Sequence, residues 1–173
     1  NDIAKLVEHS PLGVELENGE IELLGGLMQE RHLSDGDFLI EDGGSDNSLH
    51  AILDGKVEVV KRSGGDYASL AVLREGELAG ELSFIDGTPH TVGLRALCDT
   101  HVLSLSRPAF EGIIDSHPQL AYKVMRAVAR SAQLLAVPLL PLAAGISGME
   151  TVGGAAFAAG FQAAERINAL LLG

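Results

Sequence analysis

The residues best suited to chemistry lie together between Gly80 and Leu97, in the run GELSFIDGTPHTVGLRAL. Gly80 admits backbone geometries that other residues resist, and the following Glu81-Leu82-Ser83-Phe84 is long enough for one helical turn. The free N–H groups that begin such a turn carry partial positive charge and seat an anion. Glu81 is out of place against a phosphate but suits a hydroxyl beside one, such as a ribose 2′-hydroxyl. Leu82, Phe84 and Ile85 are placed to anchor the turn on an apolar core. Asp86-Gly87 and Pro89 then reverse the chain, and His90 and Thr91 offer side-chain donors back toward the same point. A sugar phosphate fits this set. On this segment alone, a helical turn that only joins two strands remains an alternative.

The rest of the chain holds little other chemistry. There are six histidines, His9, His32, His50, His90, His101 and His117. None forms a metal spacing such as His-x-x-x-His, so they are read as scattered surface or turn residues and no metal is expected. TVGGAAFAAG lacks the dinucleotide and Walker patterns, GISGM is not a nucleophile elbow, and no Ser-His-Asp or Cys-His arrangement is recognisable. No catalysis is assigned. Cys98 is the single cysteine. It is expected as small buried filler, and it fits a reducing, cytoplasmic setting. The first ten residues lack the features of a signal peptide.

The elements that must position the segment follow from texture. Ile3, Leu6 and Val7 share a helical face, SPLG breaks the run, and Ile21, Leu23, Leu24 and Leu27 give a second short helix. From 31 to 106, apolar runs are separated by Asp35-Gly36, Asp42-Gly43, Asp54-Gly55 and Asp86-Gly87, pairs that suit tight turns. The runs are DFLIED, SLHAILD, KVEVVKR, YASLAVL, TVGLRALC and HVLSLS, and in one of them Val57 and Val59 alternate against Glu58 and Val60. Closely spaced strands of this kind indicate an antiparallel barrel or sandwich. The interval 75–89 is not strand-like. Beyond it, Pro108 marks a helix start. Leu120, Val124, Ala127, Val128, Ser131 and Leu135 form an apolar stripe opposite Lys123, Arg126, Arg130 and Gln133.

The net charge is −12, with 12 basic against 24 acidic residues. That argues against nonspecific binding to nucleic acid. It also means that an anionic ligand needs a local cluster of donors.

The order of these elements resembles the cyclic nucleotide-binding domain, the family of catabolite activator-type regulators, kinase regulatory subunits and nucleotide-gated channels. The resemblance covers roughly residues 3–136, about three quarters of the chain. The family's phosphate-binding cassette is matched by Gly80-Glu81-Leu82-Ser83-Phe84, the spacer Ile85-Asp86-Gly87-Thr88, and Pro89-His90-Thr91-Val92-Gly93-Leu94-Arg95-Ala96. The hairpin around Gly55 and the approach LREGELAGEL resemble the family's as well.

The resemblance implies an α+β fold: an antiparallel, jelly-roll-like β-roll of about eight strands with N-terminal helices, a short cassette helix, and C-terminal hinge and lid helices. It implies a regulatory rather than catalytic module that binds cAMP or cGMP and moves its C-terminal helices. Glu81 would hold the ribose hydroxyl, the backbone of Gly80, Leu82 and Ser83 would face ribose and phosphate, and Thr91 would donate to the phosphate or a purine edge.

The departure is His90, where the family carries arginine. Arginine is always charged and grips phosphate through two bonds, whereas an ordinary histidine titrates near 6.5. Losing one charge-assisted bond, about 1.5–3 kcal/mol, weakens binding by roughly ten- to a hundredfold. Two readings follow. Either a weakened pocket still binds, more tightly toward acid pH, or the domain no longer senses ligand and serves as a structural or assembly module. Arg95 matches a framework arginine and is not expected to replace His90.

Residues 1–136 are read as this domain and 137–173 as a Gly- and Ala-rich helical tail whose segment 153–172 packs on another helix, on a second subunit in a homodimer, or on a different protein. Membrane contact by the tail is the less favoured reading. With Arg166 its sole basic residue, the tail is not expected to bind DNA.

Overall fold

The computed structural model describes residues 2–136, so the expectations for 137–173 lie outside the described residues. Two helices come first, α1 (Asp2–His9) and α2 (Asn18–Leu27), joined through a 3-10 turn at Pro11–Gly13 that Ser10 caps by accepting from the Leu12 amide. Glu17 and Glu20 cap α2 reciprocally, each side chain taking the other's backbone N–H. Val7, Ile21 and Leu24 are buried as the helical pattern requires, while Leu27 is 40% exposed and does not join them.

Eight strands follow among the described residues: β1 (Gln29–Leu33), β2 (Phe38–Ile40), β3 (Leu49–Asp54), β4 (Lys56–Ser63), β5 (Asp66–Arg74), β6 (Leu78–Ala79), β7 (Gly93–Ala96) and β8 (Thr100–Leu105). They form two antiparallel four-stranded sheets, ordered β1-β8-β3-β6 and β2-β7-β4-β5. All four Asp-Gly glycines hold positive φ, the conformation those turns demand.

Two expectations change here. β1 had no signal, because Gln29-Glu30-Arg31-His32 is polar and only Leu33 is buried. Val60, expected opposite Val57 and Val59, is buried too, but outside the core cluster that holds those two; the register shift beside it comes from an extra residue on β5, Leu70.

Alternation along β3 and β8 divides the core in two. Leu49, Ala51, Leu103 and Leu105 face the helices, where they meet Val7, Leu24, Phe84, Phe110, Leu120 and Val124. Ile52 and Val102 face the opposite sheet and pack with Leu39, Ile40, Val57, Leu73 and Leu94. The short helix α3 (Glu81–Asp86) leaves β6, and β8 leads into α4 (Arg107–Ser116) and α5 (Pro118–Ala136). α5 buries four residues of the expected stripe, Leu120, Val124, Ala127 and Val128, together with Ala121 and Ala129; Ser131 is half-buried, and the Leu135 side chain lies outside the described residues. Its basic side is held by the N-terminal segment: Lys123 meets Glu20 at 2.8 Å, and Arg126 and Arg130 both meet Glu15, at 3.1 and 3.0 Å. Among the described residues no helix is long and apolar enough to cross a membrane.

Candidate functional site

Gly80 caps α3 in the left-handed conformation, with φ 82° and ψ 13°. A Cβ there would lie 2.8 Å from the Ser48 carbonyl oxygen, so only glycine brings β6 into α3 at this approach. Phe84 is buried, and its ring lies 4.8 Å from that of Phe110 on α4. Leu82 and Ile85 pack partly buried beside it. Gly87, again at positive φ, ends the helix by returning its N–H to the Ser83 carbonyl.

Glu81 begins α3 and is partly enclosed. Burial pushes its carboxyl up to about 7, the Glu77 charge adds to the rise, and its own backbone N–H opposes it. A carboxylate in this position gains from a hydroxyl donated to it. Ser83 is buried and donates to the Thr88 carbonyl at 2.7 Å. Thr88 is held in turn by Asp86, through its amide at 3.0 Å and its hydroxyl at 2.6 Å.

His90 closes onto this turn. Its Nδ1 lies 3.2 Å from Ser83 Oγ, and its Nε2 donates to the Asp46 carbonyl. The single Ser83 proton already serves Thr88, so both His90 contacts are satisfied together only by a ring that donates from both nitrogens. Backbone bonds pin the same residue to the loop before β3, from the Gly43 amide to the His90 carbonyl at 3.0 Å and from the His90 amide to the Gly44 carbonyl at 3.1 Å.

Gly80, Glu81, Leu82 and Ser83 thus follow one another at the start of α3, and His90 meets Ser83. Thr91 follows them but is exposed, and its carbonyl accepts from Lys61 Nζ. Arg95 is occupied elsewhere, 3.0 Å from Glu58 Oε2 and alongside Phe38 and Tyr67.

Three residues near the site were not singled out in the sequence. Lys61, also 3.9 Å from Asp42 Oδ1, brings a fixed positive charge to the cassette. Arg107 directs Nη1 to the Ser83 carbonyl at 3.4 Å and pairs with Glu111 at 3.0 Å. Asp46 lies between two histidines, its carbonyl at His90 and its carboxylate 3.4 Å from His50 Nε2. His50 holds Asp46 well below the usual carboxylate range. Strand pairing and loop closure bring Lys61 to Thr91, Arg107 to Ser83 and Asp46 to His90, whereas the Asp46–His50 and Arg107–Glu111 pairs are four residues apart in sequence.

His50 also corrects the surface reading of the histidines. It is fully buried on β3, with Nδ1 2.7 Å from Ser104 Oγ, and burial pushes it down from its ordinary value. Cys98 is partly exposed between β7 and β8 rather than buried filler, because β7 ends at Ala96.

A family model described as the cyclic nucleotide-binding domain matches residues 30–117, about half of the chain. The chain belongs to this family.

A cyclic AMP receptor protein from Thermus thermophilus is 30% identical over 122 residues, covering 70% of this chain and 56% of that one. An uncharacterized NTE family protein of Mycobacterium tuberculosis is 25% identical over 129 residues, covering 75% of this chain and 22% of that one. The chain thus spans about half or less of the length of these curated relatives. Among solved structures, a cyclic nucleotide-binding domain from Methylobacillus flagellatus superposes with a TM-score of 0.72 at 24% identity, over 87% of this chain and 85% of that one. The N-terminal domain of a Streptomyces coelicolor transcriptional regulator gives 0.62 at 29% identity, over 82% and 97%. As a cyclic nucleotide-binding domain, the chain has the expected α+β roll.

Proposed function

We propose that residues 1–136 form a regulatory sensor that binds cAMP or cGMP and passes binding to the C-terminal helices. The observation that carries this reading is Glu81, a partly enclosed carboxyl raised to about 7 at the start of α3, beside the backbone of Leu82 and Ser83. The ribose 2′-hydroxyl donates to Glu81, and the phosphate faces the first amides of α3. His90 supplies the side-chain donor in place of arginine, with Lys61 as the nearby fixed charge. Because both His90 nitrogens already have partners, the phosphate must displace Ser83 or Asp46 from the ring. Binding is correspondingly weakened. The Phe84–Phe110 contact and the Arg107–Ser83 bond join the cassette to α4, which gives ligand contact a route to α5.

The same His90 contacts favour a second reading, in which the ring permanently fills the phosphate position and the domain serves as an assembly module. Calorimetry separates the two, with cAMP and cGMP as ligands and adenosine as the control without phosphate. The sensor reading expects saturable binding of a cyclic nucleotide, strengthened roughly ten- to a hundredfold in His90→Arg. No binding by either the native chain or His90→Arg would leave the assembly reading.

A further inference from the structure

The outer face of the β1-β8-β3-β6 sheet carries a second group of ligating side chains, unconnected with the cassette. β1 and β8 pair antiparallel with His32 directly opposite His101. Glu30, two residues before His32, lies on the same face. That face is the one that Leu103 and Leu105 present to the helices, but toward β1 it is open: Glu30 and His32 are exposed, and the His101 side chain is 22% exposed.

The two rings stack with centroids 4.2 Å apart and planes 10° from parallel. One oxygen, Glu30 Oε1, lies 2.6 Å from His101 Nε2 and 3.4 Å from His32 Nε2. One ligand atom from each of the three residues lies within 4.8 Å of the others. Atoms bound to a tetrahedral ion at about 2.0–2.1 Å stand roughly 3.3 Å apart, so small side-chain rotations bring this set to a metal. The His101 Nε2 atom is closed off from solvent, with Glu30 Oε1 beside it. A cation shared between this nitrogen and the Glu30 carboxylate gives both a ligand bond.

We propose that Glu30, His32 and His101 form a zinc site. Two imidazole nitrogens and one carboxylate oxygen suit zinc, whereas magnesium and calcium take oxygen ligands. The fourth position faces solvent. The net charge of −12 favours cation approach. The histidines were read as scattered because the two meet only through β1–β8 pairing.

The test is titration of the full chain, first stripped with chelator, with zinc chloride. One saturable site is expected, with His32→Ala and His101→Ala each weakening it by at least about tenfold, and with His9→Ala, at an exposed position of α1, unchanged. Histidine ring NMR signals of His32 and His101 should shift together on zinc addition, which reads the site in the unaltered chain. Magnesium or calcium chloride should not saturate it. Failure of zinc to saturate one site, or undiminished binding in His32→Ala, would overturn the proposal; so would calcium binding equal to zinc, which would mark a diffuse acidic surface.

Discussion

Glu81 combines a structural cost with a proposed binding role, and the two separate by pH. Its carboxyl titrates near 7 in the folded chain against 4.5 for an ordinary glutamate. The folded state therefore holds this proton more tightly than the unfolded state, and Glu81's contribution to stability declines as pH rises from about 4.5 to about 7. Allowing for its partial contact with water, the loss is about 2 kcal/mol. Glu81→Gln carries no such cost. Urea unfolding should give matching pH dependence for both proteins below pH 4.5, with the glutamine form more stable by that amount above pH 7. A gap that does not change with pH would show a carboxylate in full contact with water. In calorimetry the same substitution should weaken cyclic nucleotide binding by roughly tenfold or more, as expected for loss of a bond to a charged group.

At the scale of elements, α3 depends on a glycine that the sequence marks clearly. Gly80 and Gly36 both hold positive φ, at 82° and 89°, but only Gly80 has a neighbour against its missing side chain. Gly36→Ala is expected to cost about 1–2 kcal/mol from backbone conformation alone. Gly80→Ala adds the displacement of Ser48, for about 3 kcal/mol or more in total. Denaturant midpoints of the two variants decide this, and equal losses would mean that the β2–β3 loop yields freely. The Gly80–Phe84 turn was legible because its demands are local: a left-handed cap, an apolar anchor and a Gly87 stop. β1 was not, because a strand with four polar residues out of five owes its pairing to β8 rather than to its own pattern.

In the whole molecule, the cassette, α4 and α5 form one chain of contacts. Phe110 packs against Phe84 in the same helical core, and α5 is held to the N-terminal segment by Glu15 and Glu20. If ligand binding travels this way, Phe110→Leu should leave cAMP affinity within about threefold, a loss under 1 kcal/mol. It should also blunt the ligand-dependent change in amide exchange across residues 118–131. Exchange that changes as much in the variant as in the native chain would place the coupling elsewhere.

By itself the sequence determined what short-range physics controls: the helical stripes, the Asp-Gly turns, the glycine-capped cassette and its histidine in an arginine's place. Only the tertiary structure decided which distant groups meet. It buried His50 beside Ser104, brought Asp46 and Ser83 to the two sides of His90, directed Lys61 to Thr91, and stacked His32 on His101. The reason is physical. Turn chemistry and amphipathic period are properties of neighbouring residues, whereas these contacts are set by strand register and loop closure across the two sheets.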